Sequence, residues 1–124
     1  MNRYLTFEDI SAYNISFELS NYVWDVVMNW DMFAKRTIGG QLVYAVDSIS
    51  ANIAEGFGRY FKKDKVNFYR YSRGSAVEAS DWNNKALKRN LLTLDQYQHI
   101  KNELDKLPYE INKLIKYTNL KLKV

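Results

Sequence analysis

Between Tyr97 and Thr118 a seam of side chains runs Tyr97, Ile100, Leu104, Leu107, Ile111, Leu114 and Thr118, in alternating steps of three and four. That period marks the core-facing edge of an α-helix, in the manner of a coiled coil, and another element must cover it. The start of this helix is marked locally. Thr93 stands at the cap position, Gln96 is its capping-box partner, and Leu92 is placed to staple onto Tyr97. The same device recurs near the N-terminus. There Thr6 caps, Asp9 is the box partner and Leu5 staples onto Ile10, while Glu8 and Asp9 face the positive end of the helix dipole. One proline and five glycines in 124 residues leave few breaks, so pattern and composition both predict long helices.

From Ile10 the first helix carries two apolar stripes, one of Ile10, Tyr13, Phe17, Trp24 and Val27, the other of Ile15, Leu19, Val23, Val26 and Trp30. A bundle helix needs an apolar stripe only about 100° wide. The second stripe is therefore either a widened core face or a contact with another subunit. The second helix starts between Asp31 and Thr37 and runs to about Gly58, with Ile38, Leu42, Ala45, Ile49 and Ile53 on its core side. Helical glycines each cost roughly 1 kcal/mol relative to alanine, which places Gly39 and Gly40 in the first turns or against a close neighbour.

Gly56 to Gly58 end the second helix, since glycine accepts the left-handed cap conformation. Asp64 caps a third helix running to about Asn90, with Phe68, Tyr69, Ser72, Ala76, Ala79, Asn83, Ala86 and Leu87 as core candidates. Gly56 and the mid-helix Gly74 are read as points of close helix packing. Pro108 should kink or divide the fourth helix near Leu107. Helices of about 20 to 28 residues are roughly 30 to 40 Å long, and short connections make neighbours antiparallel. The expectation is an all-α, up-down-up-down four-helix bundle, one domain spanning residues 1–124.

Little here suits catalysis. The absence of cysteine excludes disulfides and thiolate metal sites. The one histidine, His99, follows Gln96 rather than a glutamate, so the paired Glu-x-x-His motifs of a di-metal bundle are missing. Neither a P-loop nor a strand-linked G-x-G-x-x-G occurs. A non-enzyme without metal or cofactor is expected. Residues 1–10 lack the apolar core of a signal peptide, and no apolar run approaches the roughly 20 residues of a membrane span, so a cytoplasmic protein without a membrane partner is expected.

Charge is uneven along the chain. Residues 1–55 hold 3 basic and 7 acidic side chains, whereas residues 56–124 hold 15 and 7. Within the basic part, Arg59, Lys62, Lys63, Lys65, Arg70 and Arg73 are interleaved with Tyr60, Phe61, Phe68, Tyr69 and Tyr71. Cations with aromatics beside them suit phosphate contacts and base stacking, which makes these six residues the candidate nucleic-acid surface. Beside them, a hairpin of the second and third helices would bring Asn52, Glu55 and Arg59 near Ser75 and Glu78. That set reads as a polar network fixing helix register or as a ligand or nucleic-acid pocket at the bundle end.

The segment S-I-S-A-N-I-A-E-G-F-G-R from Ser48 to Arg59, with Gln41 and Ala45 before it and Phe68 and R-G-S-A-V-E from Arg73 to Glu78 after it, resembles the four-helix-bundle proteins encoded in intervening sequences of bacterial 23S rRNA genes. Tyr44 stands where that family usually has a basic residue, and the family's proline near the start of the second helix is missing. The resemblance implies an antiparallel bundle, assembly into a homo-oligomeric ring, commonly a pentamer, and no established enzymatic activity. It leads us to expect an oligomer binding RNA or structured nucleic acid through the basic surface. The alternative is a structural or protein-interaction module, such as an accessory protein to a reverse transcriptase.

Overall fold

The structure, a computed structural model, describes residues 6–124. Four long helices, α1 (Ser11–Val27), α2 (Gly40–Phe57), α3 (Lys62–Lys88) and α4 (Leu94–Lys121), form an all-α bundle with no strand among the described residues. Each packs on its neighbour in sequence, and α4 closes the circuit on α1. Contacts across the turns set the directions. Ile49 meets Ser72 and Gly56 meets Tyr69, while Asn83 reaches Tyr97 and Arg73 reaches Asn112. Partners thus move apart in sequence on leaving each turn, which makes α2–α3 and α3–α4 antiparallel hairpins. One continuous core joins Leu19 and Val23 of α1, Leu42, Ile49 and Ile53 of α2, Tyr69 and Ala79 of α3, and Ile100, Leu107 and Ile111 of α4.

The Thr93 box forms as its sequence predicts: Gln96 N–H donates to Thr93 Oγ1 at 3.1 Å and Thr93 N–H donates to Gln96 Oε1 at 3.0 Å. The N-terminal signal is used differently. Thr6 N–H donates to Asp9 Oδ2 at 3.0 Å, but the box closes only a 3-10 turn, Phe7–Asp9, after which Ile10 is extended and α1 begins at Ser11. Ile10 is buried instead as a core plug, and Leu5, its predicted staple, lies outside the described residues. The core of α1 is the stripe with Leu19, Val23 and Val26, and Trp30 packs against it, whereas Phe17 and Trp24 of the other stripe are exposed. The widened face therefore turns outward on the side opposite to the one Trp30 suggests.

Asp31 is the cap that starts the second helical run, its Oδ1 accepting from Ala34 N–H at 3.0 Å. A short turn, Met32–Ala34, and a π-helical stretch, Lys35–Gly39, lead into α2. Gly39 is needed there: a Cβ would lie 2.8 Å from Val27 Cγ1 and 3.3 Å from Trp30 Cε3. At the far end of α2 no glycine has positive φ. The left-handed cap expected of Gly56–Gly58 is absent, and Gly58 closes the helix in the right-handed region. α3 begins earlier than Asp64 predicts, with Phe61 at the cap position and Asp64 inside the first turn. It ends in a Schellman motif, where Asn90 adopts φ 61° and Leu91 N–H donates to Ala86 O at 2.9 Å. α4 runs undivided through Pro108, whose ring lies on the exposed side.

Candidate nucleic-acid interface

The six candidate cations sit around the α2–α3 turn and along α3, and the fold divides them. Lys65 Nζ donates to Phe57 O at 2.6 Å, capping the negative end of α2. Partial burial there lowers the pKa of its ammonium from the ordinary lysine value. Lys62 Nζ donates to Leu122 O at 3.2 Å and Asn119 O at 3.5 Å, doing the same for the end of α4. Arg73 bonds Asn112 Oδ1 on α4. Arg59 pairs with Glu55 at 2.9 Å and lies over the Phe68 ring, 4.6 Å from its centroid. These four cations serve helix ends and helix contacts. Lys63 and Arg70, both exposed, make no hydrogen bond or ion pair among the described residues.

Lys63 and Arg70 are seven residues apart, two helical turns, and so share one outward side of α3 about 10 Å apart along the axis. Aromatics accompany them. Tyr60 is 72% exposed and Phe61 55%, their rings edge to face at 5.0 Å, and Tyr71, 59% exposed, meets Phe68 edge to face at 5.5 Å. Rings this open are platforms on which a base can stack. Gly74 continues the same side of α3. A Cβ on it would meet nothing within 4 Å, so the close packing predicted for Gly74 has no counterpart among the described residues. At Gly56 the situation is reversed, with a Cβ placed 2.8 Å from Tyr69 Cε1 and 3.0 Å from Lys65 O.

The predicted network across α2 and α3 does not form. Asn52 Nδ2 donates to Ser48 O of its own helix at 2.8 Å, Glu55 keeps to Arg59, and Glu78 accepts from Trp82 Nε1 at 3.1 Å. No hydrogen bond among the described residues joins these groups to Ser75 or to one another across the hairpin. Side chains three or four residues apart on one helix are nearer than those on the next helix, and the polar groups settle locally. The bond that crosses instead is buried: Ser72 Oγ donates to Ile49 O at 2.7 Å. Its partner is a backbone carbonyl, which no residue-type pattern reveals.

The model of the 23S rRNA-intervening sequence protein family matches residues 8–113. The chain belongs to this family. Its fold is also that of a crystal structure described as a protein of unknown function from the S23 ribosomal protein family of Bacteroides thetaiotaomicron, with TM-score 0.75, 20% identity, and coverage of 85% of this chain and 98% of that one. No curated protein matches the chain. The family match takes in the whole basic stretch and stops short of the tail that holds Lys62.

Elsewhere on this family member, His99 lies against the Tyr22 ring, 4.4 Å between centroids, in a groove of about 410 Å³ between α1 and α4 lined by Glu18, Asp25 and Glu103. No group of three His, Asp or Glu side chains is placed to hold a metal ion among the described residues. No described helix is long and apolar enough to cross a membrane. A feature the periodicity misplaced is the exposed strip Phe17, Trp24, Met28, Met32 and Phe33 along α1 and the turn after it. The spacing Phe17–Trp24–Met28 holds that signal, but helical period alone does not say which of two apolar stripes faces the core.

Proposed function

We propose that this member of the 23S rRNA-intervening sequence protein family is a non-enzymatic, cytoplasmic RNA-binding bundle whose contact surface is the outer side of α3 and the α2–α3 turn. The observation that carries the reading is the pair Lys63 and Arg70, left without partners among the described residues beside the open rings of Tyr60, Phe61 and Tyr71. Cations already committed to carbonyls gain less from phosphate, since they must first give up a bond. Lys63 and Arg70 give up only water. Fluorescence anisotropy with single-stranded rRNA fragments tests this. A double Lys63→Ala, Arg70→Ala variant should reduce the slope of log affinity against log salt by about 1.4, two phosphates at roughly 0.7 each. Absence of binding at low salt rejects the reading.

A second element rests on a different observation. The strip Phe17, Trp24, Met28, Met32 and Phe33 is apolar and open, with Phe33 at 78% exposure. A contiguous exposed apolar patch is the usual mark of a protein contact. The occupant we propose is a second copy of the chain, in a closed ring for which the family resemblance suggests a pentamer. Sedimentation velocity checks this. Trp24→Asp with Phe33→Asp should yield monomers from a larger species, and a parent chain that is strictly monomeric at tens of micromolar removes the proposal.

A further inference from the structure

We infer that the tail, Leu122 to Val124, is a strap that holds the basic end of α3 closed against phosphate. The inference rests on the RNA-binding reading and concerns the regulation of that surface. The residue at the N-cap of α3 is Phe61, whose side chain makes no capping hydrogen bond. The first N–H groups of a helix need an acceptor and carry the positive end of its dipole. Here the acceptor comes from the far end of the chain, as Lys62 N–H donates to Val124 O at 2.5 Å. The Lys62 ammonium donates to Leu122 O at the start of the tail and to Asn119 O in the last turn of α4. A backbone donor and a side-chain cation of one residue thus both reach oxygens of the tail, Val124 O and Leu122 O.

That is also the pair of donors a phosphate oxygen takes best, because charge-assisted bonds are roughly twice as strong as neutral ones. Lys63, which begins the free outer side, is the next residue in the chain. The tail lies over the position where an RNA backbone entering along Lys63 and Arg70 would reach the helix end. It is also weakly held. Residues 122–124 lie beyond α4, and Leu122 and Val124 remain 37% and 51% exposed. Segments with little buried apolar surface open at far lower free energy than helices in a core. RNA that displaces the strap gains Lys62 and the end of α3, and a docked strap withholds both.

The test compares three proteins by anisotropy on one single-stranded RNA fragment at low salt: the intact chain, the chain ended after Lys121, and a full-length Leu122→Gly, Val124→Gly variant with every charge retained. Ending the chain at Lys121 removes the cation Lys123, which by counterion release alone weakens binding. The strap predicts the opposite sign. Both altered chains should bind about two- to fivefold more tightly, the scale of one charge at a helix terminus. Lys62→Ala should abolish that gain. Equal or weaker binding by both altered chains, with the intact chain still binding, overturns the strap and leaves the RNA reading standing. Failure of all three to bind overturns the reading itself. Hydrogen exchange separates the contact from its effect: the Lys62 amide should be protected in the intact chain and exchange faster without the tail, and an amide equally fast in both overturns the strap whatever the RNA result.

Discussion

The inner and outer sides of α3 use similar residues to opposite ends. Inward, Tyr69 fits against the bare backbone of Gly56 and Ser72 bonds the Ile49 carbonyl, so α2 and α3 approach closely and their register is set by two buried contacts. Outward, Gly74 faces open space, Arg70 and Lys63 have no partner among the described residues, and Tyr71 is exposed. On the inner side an aromatic and a hydroxyl of α3 make a joint with a glycine and a carbonyl of α2. On the outer side a glycine, an aromatic and two cations make a surface that the single chain leaves unused. What separates the two is whether α2 stands opposite, and the α2–α3 turn decides that.

Gly56→Ala should show the largest effect. Its Cβ would press on Tyr69 and on the backbone oxygen of Lys65, and overpacking of this kind costs about 1–3 kcal/mol, read as a lower urea midpoint. A variant as stable as the parent would mean that Tyr69 moves aside and that the joint is looser than its geometry. Next comes Ser72→Ala, which removes a buried bond from α3 to the α2 backbone. The expected loss is about 1 kcal/mol. Smallest, and of opposite sign, is Gly74→Ala. With nothing within 4 Å of the added Cβ, alanine should stabilise the chain by about 0.5–1 kcal/mol through helix propensity alone. If the melt instead shows destabilisation that grows with protein concentration, a partner covers Gly74 and the outer side is a joint as well.

Much of the bundle is legible residue by residue. The seam from Tyr97 to Thr118, the Thr93–Gln96 box and the core side of α2 are local patterns, and each appears where its spacing places it. The basic stretch is legible as composition but not as a surface. Arg59 and Glu55, four residues apart, are a local pair. Lys62 and Lys65 are decided by carbonyls at the ends of α4 and α2, and Arg73 by Asn112 on α4. A backbone oxygen belongs to every residue type alike, so no motif announces it. The same limit explains the polar residues of the second helix, which bond within their own helix although their spacing also suits a contact across the hairpin.

By itself the sequence determined that this chain makes four long helices, where the strongest caps stand and which family it belongs to, because helical period, capping and motif are properties of neighbouring residues. Tertiary structure alone decided which stripe of α1 faces the core, why Gly56 is tight and Gly74 bare, and which two of six cations have no partner among the described residues. Those outcomes depend on what another helix brings within a few ångströms, and only the packed bundle sets that distance.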